Sequence, residues 1–133
     1  MTRDGVPPLT QRSLLDAVQE LAKADPALAS SVERFGPPPL WAREPSFATL
    51  VHLILEQQVS LASARAAFDR LDAALDGDIG PKGLLALSDA ELRAIGFSRQ
   101  KAGYARHLAV ALADGFDLDG LARLPDDEVR AGL

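Results

Sequence analysis

The chain has no cysteine among its 133 residues. That excludes disulfides, thiolate zinc sites, thiol nucleophiles and iron–sulfur ligation within these residues. Aromatic residues make up only 5% of the chain, and Val, Ile and Thr are scarce beside Ala and Leu, which together form a third of it. A sheet needs β-branched and aromatic side chains to cover its pleated faces, whereas Ala and Leu are strong helix formers, so the composition points to an all-α fold. Long apolar runs are missing too. The longest, residues 47–55, is interrupted by Thr49 and His52, and Pro7 and Pro8 stand where a signal peptide would be apolar. The expectation is a soluble, cytoplasmic protein with no membrane partner. Positive charge is also in short supply: the net charge is −5, which excludes a polybasic coat for nucleic acid and confines any such contact to a local patch. What is present, 47% hydrophobic and 25% charged residues, suits one globular core and rules out wholesale disorder.

Capping residues divide the sequence into short helices. Thr10 can cap a first helix through Ala24, with Leu14, Leu15, Val18 and Leu21 at helical spacing. Asp25-Pro26 pairs a cap with proline at the first helical position and opens a second helix to about Phe35. Gly36-Pro37-Pro38-Pro39 stops it, and an extended linker to Pro45 follows, on which Trp41 is expected to anchor the chain to the bundle. Ser46 caps a helix over Phe47–Leu55 whose apolar surface, widened by Leu53, suggests a central position. Ser60 caps its successor, Gly80-Pro81 forms a turn, and a short Leu84-Leu85 segment leads to Ser88-Asp89-Ala90-Glu91, a capping box. That helix ends at Gly96. Ser98 opens a longer one through Asp114, with Tyr104, Leu108, Ala111 and Leu112 expected inward, and a short turn over Leu118–Leu121 precedes a helix start at Pro125-Asp126-Asp127-Glu128.

Three segments carry chemistry worth testing. Gln57-Gln58-Val59-Ser60 puts two adjacent amides at the end of an apolar helix, immediately before a new cap. Such amides can meet base edges or fill the gap left by a flipped base, and they can equally satisfy the backbone of the junction. Arg93, Arg99, Lys101 and Arg106 fall in a window, residues 93–107, that holds no acidic residue, giving +4 in a chain otherwise net negative. This basic rim suits phosphates, with solvated surface charge the plainer alternative. Asp117, Asp119 and Glu128 have calcium-loop spacing, but Leu121 and Ala122 occupy positions that need an oxygen ligand and a glycine, so no metal is expected. His52 and His107 have no ligand partners near them in sequence and read as core or surface histidines. No catalytic Ser/His/Asp set or carboxylate pair can be assigned.

Three stretches together resemble a known family: Pro38-Pro39-Leu40-Trp41; Phe47 to Ala64 around Ile54-Leu55-Glu56-Gln57-Gln58-Val59-Ser60; and Leu92 to Tyr104 around Ile95-Gly96-Phe97-Ser98-Arg99-Gln100-Lys101-Ala102. They are similar to the DNA-3-methyladenine glycosylase II family, within the helix-hairpin-helix DNA glycosylase superfamily, over about residues 37–133. The resemblance implies a helical bundle equivalent to the first part of that fold. Residues 1–44 would form N-terminal helices and a proline-rich linker, and residues 45–133 part of a six-helix-barrel domain. It implies DNA repair by excision of alkylated bases, such as 3-methyladenine, from double-stranded DNA. An N-alkylated purine is already a cationic leaving group, so flipping it out, holding it by cation–π attraction and placing a carboxylate near the anomeric carbon would suffice. Gln58 would correspond to the wedge that fills the vacated stack, Gln57 would lie beside it, and Ser60, Arg99 and Lys101 would join the DNA-facing surface. No cofactor is implied.

In the family the hairpin, with its glycine-apolar-glycine turn, and the catalytic aspartate follow the segment that matches Leu124-Pro125-Asp126-Asp127-Glu128. Only one glycine is present at Ile95-Gly96-Phe97, and no aspartate here matches the catalytic position. The expectation is therefore the front half of a glycosylase, truncated before the hairpin and inactive by itself. Its first helix would leave Leu14, Leu15, Val18 and Leu21 open to self-association. Two other readings stand beside it: a helical DNA-binding fragment or relic without chemistry, and a helical interaction protein unrelated to DNA.

Overall fold

The computed structural model describes residues 7–133, and every regular element among them is helical. In chain order these are α1 (Gln11–Ala24), α2 (Pro26–Phe35), α3 (Phe47–Glu56), α4 (Leu61–Ala74), α5 (Pro81–Ala86), α6 (Asp89–Ile95), α7 (Arg99–Ala113), a 3₁₀ turn (Asp119–Arg123) and α8 (Asp126–Gly132). No helix among the described residues is long and apolar enough to cross a membrane.

The boundaries follow from local chemistry. The first N–H groups of a helix lack partners inside it, and a side-chain oxygen just before the helix supplies one. Thr10, Asp25, Ser46, Ser60, Ser88 and Ser98 each do so, with Thr10–Ser13 and Ser88–Glu91 forming reciprocal capping boxes. Gly96 ends α6 at φ 127°, a left-handed conformation that side chains resist, and the N–H of Phe97 folds back to the Leu92 carbonyl. The corner is thus an ordinary helix end. The turn expected over 118–121 lies slightly later, where Asp117 Oδ1 accepts the Gly120 N–H at 2.9 Å.

The described chain divides into two compact units. One is the chain through Arg43 together with Ala122–Leu133; the other is Glu44–Leu121. In the first, α1 packs on α2, and the two helices with Pro37–Pro39 line an apolar groove of about 430 Å³. None of its helices has a fully buried residue. Trp41 corrects the expectation of an anchor: it is 87% exposed, on a proline-rich segment that forms no regular element.

The Glu44–Leu121 unit holds the hydrophobic core. Val51 and Leu55 of α3, Ala64, Ala67 and Leu71 of α4, Leu84 of α5, Leu92 and Ile95 of α6 and Phe97 meet there with α7. Full burial of one such Leu contributes roughly 1.5–3 kcal/mol. Two expectations are corrected. Leu53 points outward from α3, since that helix packs on α4 and α7 and leaves one side open. On α7 the inward stripe is Ala102, Ala105 and Ala109, with Leu108 and Leu112 on its flank, while Tyr104 and Ala111 are exposed. Small residues let α7 approach α5, α3 and α6, on which it packs. His52 is a packing residue: it stacks on Phe68 with ring centroids 4.4 Å apart and lies 3.4 Å from Glu56. His107 is exposed.

Basic side chains lock this bundle by bonding carbonyls at helix ends, where the helix dipole is negative and acceptors are left over. Lys101 Nζ donates to the Leu55 carbonyl at the end of α3 (2.8 Å), Arg70 Nε to Ile95 at the end of α6 (2.7 Å), and Arg106 Nη2 to Leu87 just after α5 (2.9 Å). Neither α3 nor α5 has a basic residue in its own last turn, so the cation comes from α7 in both cases.

Candidate nucleic-acid interface

The two glutamines sit on the α3–α4 corner. Gln57 follows α3 in an extended conformation (φ −62°, ψ 127°), and Gln58 turns the chain with φ 61°, one of two non-glycine residues with positive φ among the described residues. Ser60 then accepts the Ser63 N–H at 3.1 Å and starts α4. All four residues from Gln57 to Ser60 are exposed, and Val59 and Leu61 present apolar surface beside the amides. An amide with no bond to the bundle, flanked by apolar side chains on a sharp turn, can enter a gap whose walls are apolar faces and whose rim carries hydrogen-bonding edges.

The basic window separates into two kinds of residue. Lys101 is half-buried, and through Leu55 it fixes the end of α3 two residues before Gln57. Its ammonium therefore positions the corner from behind. Arg106 is likewise held, pairing with Asp89 as well as with Leu87. Arg93 and Arg99 are exposed and have no hydrogen-bond or ion-pair partner among the described residues. Both line a cleft of about 410 Å³ between α6 and α7. On the other flank of α7, Gln100 Nε2 donates to the Tyr104 hydroxyl at 2.7 Å.

The first turn of α7 thus joins the features singled out in the sequence: Lys101 ties it to the glutamine corner, and Arg99 opens onto the cleft. Ser60 and Ser98 serve as helix caps. Sequence reasoning missed the cleft's glycine, Gly103, and the three cross-helix bonds to carbonyls, because a backbone acceptor far away in sequence leaves no residue signature. No group of three or more His, Cys, Asp or Glu able to hold a metal occurs among the described residues.

The bundle thus carries an exposed amide corner and a basic cleft at the start of one helix, and comparison with known proteins gives its family. The chain belongs to the HhH-GPD superfamily of base excision DNA repair proteins, whose family model matches residues 51–131. It is also similar to the crystal structure of a DNA-3-methyladenine glycosidase from Bacillus halodurans, at 30% identity and a TM-score of 0.71 over 87% of this chain. The match spans 54% of the Bacillus chain, about half its length. No curated protein matches the chain.

Proposed function

We propose that this chain acts in base excision repair as part of a DNA N-glycosylase for alkylated bases of the 3-methyladenine type, and that Gln57, Gln58 and Ser60 form its minor-groove corner. The observation that carries the reading is Gln58: an exposed amide held at φ 61° between two capped helices. In this role Gln58 is the wedge, Gln57 lies beside it, Arg99 meets the strand, and Lys101 holds the corner in place. Family membership and the similarity to the Bacillus DNA-3-methyladenine glycosidase support it. The partner is double-stranded DNA. A purine alkylated on nitrogen leaves as a neutral base once its sugar bond is polarised, so the protein's part is to flip, hold and stabilise charge.

These residues are the DNA-facing portion of that activity and do not carry its chemistry. No charged residue among those described is buried, and a carboxylate that stabilises charge at a flipped nucleotide gains its strength from a water-excluded site. DNA binding without catalysis is accordingly the role proposed for the described residues, and the α1–α2 groove is the face proposed for self-association.

Two measurements test the reading. Fluorescence anisotropy with duplexes that are intact or contain an abasic-site analogue should show preference for the latter, and Gln58→Ala should weaken abasic binding more than intact binding. Equal losses on both duplexes would return Gln58 to a purely structural corner. Incubation with methylated DNA should release no base above background, and turnover abolished by replacing one of the aspartates present would show that the chemistry is here after all.

A further inference from the structure

The cleft between α6 and α7 is not needed by the wedge. Arg93 on α6 and Arg99 on α7 line it, and Gly103, one turn beyond Arg99 on α7, lines it too. Glycine is a poor residue for a helix interior, since it loses more backbone freedom than any other on ordering. Packing does not demand it here: a Cβ added to Gly103 would meet nothing within 4 Å, and its backbone has no positive φ. What the glycine does is leave the α7 surface open beside two guanidinium groups that have no partner. The one acid of the cleft, Asp89, is already paired with Arg106. The cleft therefore presents two uncompensated positive charges in a recess that buried Phe97 also lines.

From this arrangement we infer that the α6–α7 cleft seats one phosphodiester of a DNA strand, with Arg93 and Arg99 donating to its oxygens from two helices and Gly103 admitting it to the α7 surface. Guanidinium groups suit this ligand because their planar N–H forks match the spacing of phosphate oxygens. The site rests on the reading of the chain as a DNA-binding protein and adds to it a contact that carries no sequence or lesion preference, since phosphates are the same in every duplex. Lys101 lies on the far side of the same helical turn, tied to the glutamine corner. One strand can thus be held by its backbone at the cleft while the corner meets the groove.

The experiment is the salt dependence of duplex affinity for the whole chain and for Arg93→Gln, Arg99→Gln and Gly103→Glu, with helicity checked by circular dichroism. Arg65→Gln serves as the control, because Arg65 is paired with Asp69 on α4, away from the cleft. Each cleft arginine that meets a phosphate should, when removed, lower the slope of log K against log salt by about 1 and weaken intact and abasic duplexes by the same factor, on the order of tenfold. Gly103→Glu should weaken binding at least as much with the fold intact, and Arg65→Gln should leave the slope unchanged. Unchanged slopes for both cleft arginines, or a slope that falls as much for Arg65→Gln, would overturn the site. So would a cleft that responds to inorganic phosphate while DNA slopes stay fixed, which would make it a free-anion site. If the slopes fall but Gln58→Ala weakens intact and abasic duplexes equally, the wedge fails and the cleft stands; the reverse pattern removes the cleft and keeps the wedge. Absence of any duplex binding overturns both.

Discussion

Gln58 holds a backbone conformation that costs a non-glycine residue roughly 1–2 kcal/mol, and glycine would hold it without that cost. A strained residue persists where something other than folding favours its side chain, and here the side chain is exposed. Gln58→Gly is expected to raise the unfolding free energy by about 1 kcal/mol, measured by urea denaturation, while the preference for an abasic duplex disappears. A variant that is less stable, or that keeps the preference, would mean the amide itself is not the reason for the strain. Lys101 makes the complementary case. Its bond to the Leu55 carbonyl joins a charged donor to a helix end, so Lys101→Met should cost about 1.5–3 kcal/mol. It should also reduce the abasic preference of the unaltered Gln58, and Lys101→Arg should restore part of both. The pair of amides was legible in the sequence because two polar residues interrupt an apolar stripe. The role of Lys101 was not: within its basic window it looks like Arg99, and only the fold brings an acceptor from α3 to it.

At the scale of the element, caps explain why so much was legible. Ser, Thr and Asp oxygens act on N–H groups two or three residues away, so a helix start is written locally and needs no tertiary contact to be read. Ser88 and Glu91 illustrate it and carry a pH dependence. The Glu91 carboxylate accepts the Ser88 N–H at 2.7 Å, and that backbone bond, followed by the Ser88 side chain, holds its pKa below the ordinary 4.5. The unfolded chain therefore binds a proton more readily than the folded one. The cap's contribution is fully present above the unfolded value of 4.5 and is lost as pH falls through the lower folded value. In Glu91→Gln, urea midpoints should lose less on acidification below pH 4.5 than in the unaltered protein. An identical acid limb in both would show that the bond does not persist in solution. The inward face of α7 was legible only in part, for the opposite reason. Leu108 and Leu112 pack against the core as the periodicity suggests, whereas Tyr104 is exposed and the central place of Ala102, Ala105 and Ala109 depends on how closely α5 and α3 approach, which is a tertiary fact. Trp41 was misjudged similarly: an aromatic in a linker suggests an anchor, but its burial is also a tertiary fact, and it is exposed.

Across the whole molecule, burial is distributed unevenly, and local stability should follow it. Among the described residues, every buried hydrophobic lies between Phe47 and Ala109, so the core belongs to the Glu44–Leu121 unit, while α1, α2 and α8 bury none. A helix opens locally at a free energy set by the packing it loses, not by its own hydrogen bonds, because short isolated helices are marginal in water. Native-state hydrogen exchange should therefore find the most protected amides in α3, α4 and α7, with those of α1, α2 and α8 exchanging through smaller openings even though α1 has an intact capping box. The apolar groove between α1 and α2, where Leu21, Leu28 and Phe35 remain 55%, 43% and 75% exposed, makes that difference depend on concentration. A second copy covering those side chains would slow exchange in α1 and α2 as protein concentration rises and leave α3, α4 and α7 unchanged, since only the groove gains buried surface. Protection in α1 and α2 equal to that of α7 in dilute solution would contradict the assignment of stability to the Glu44–Leu121 core. Protection that stays low at every concentration would leave that core as described and remove self-association through the groove.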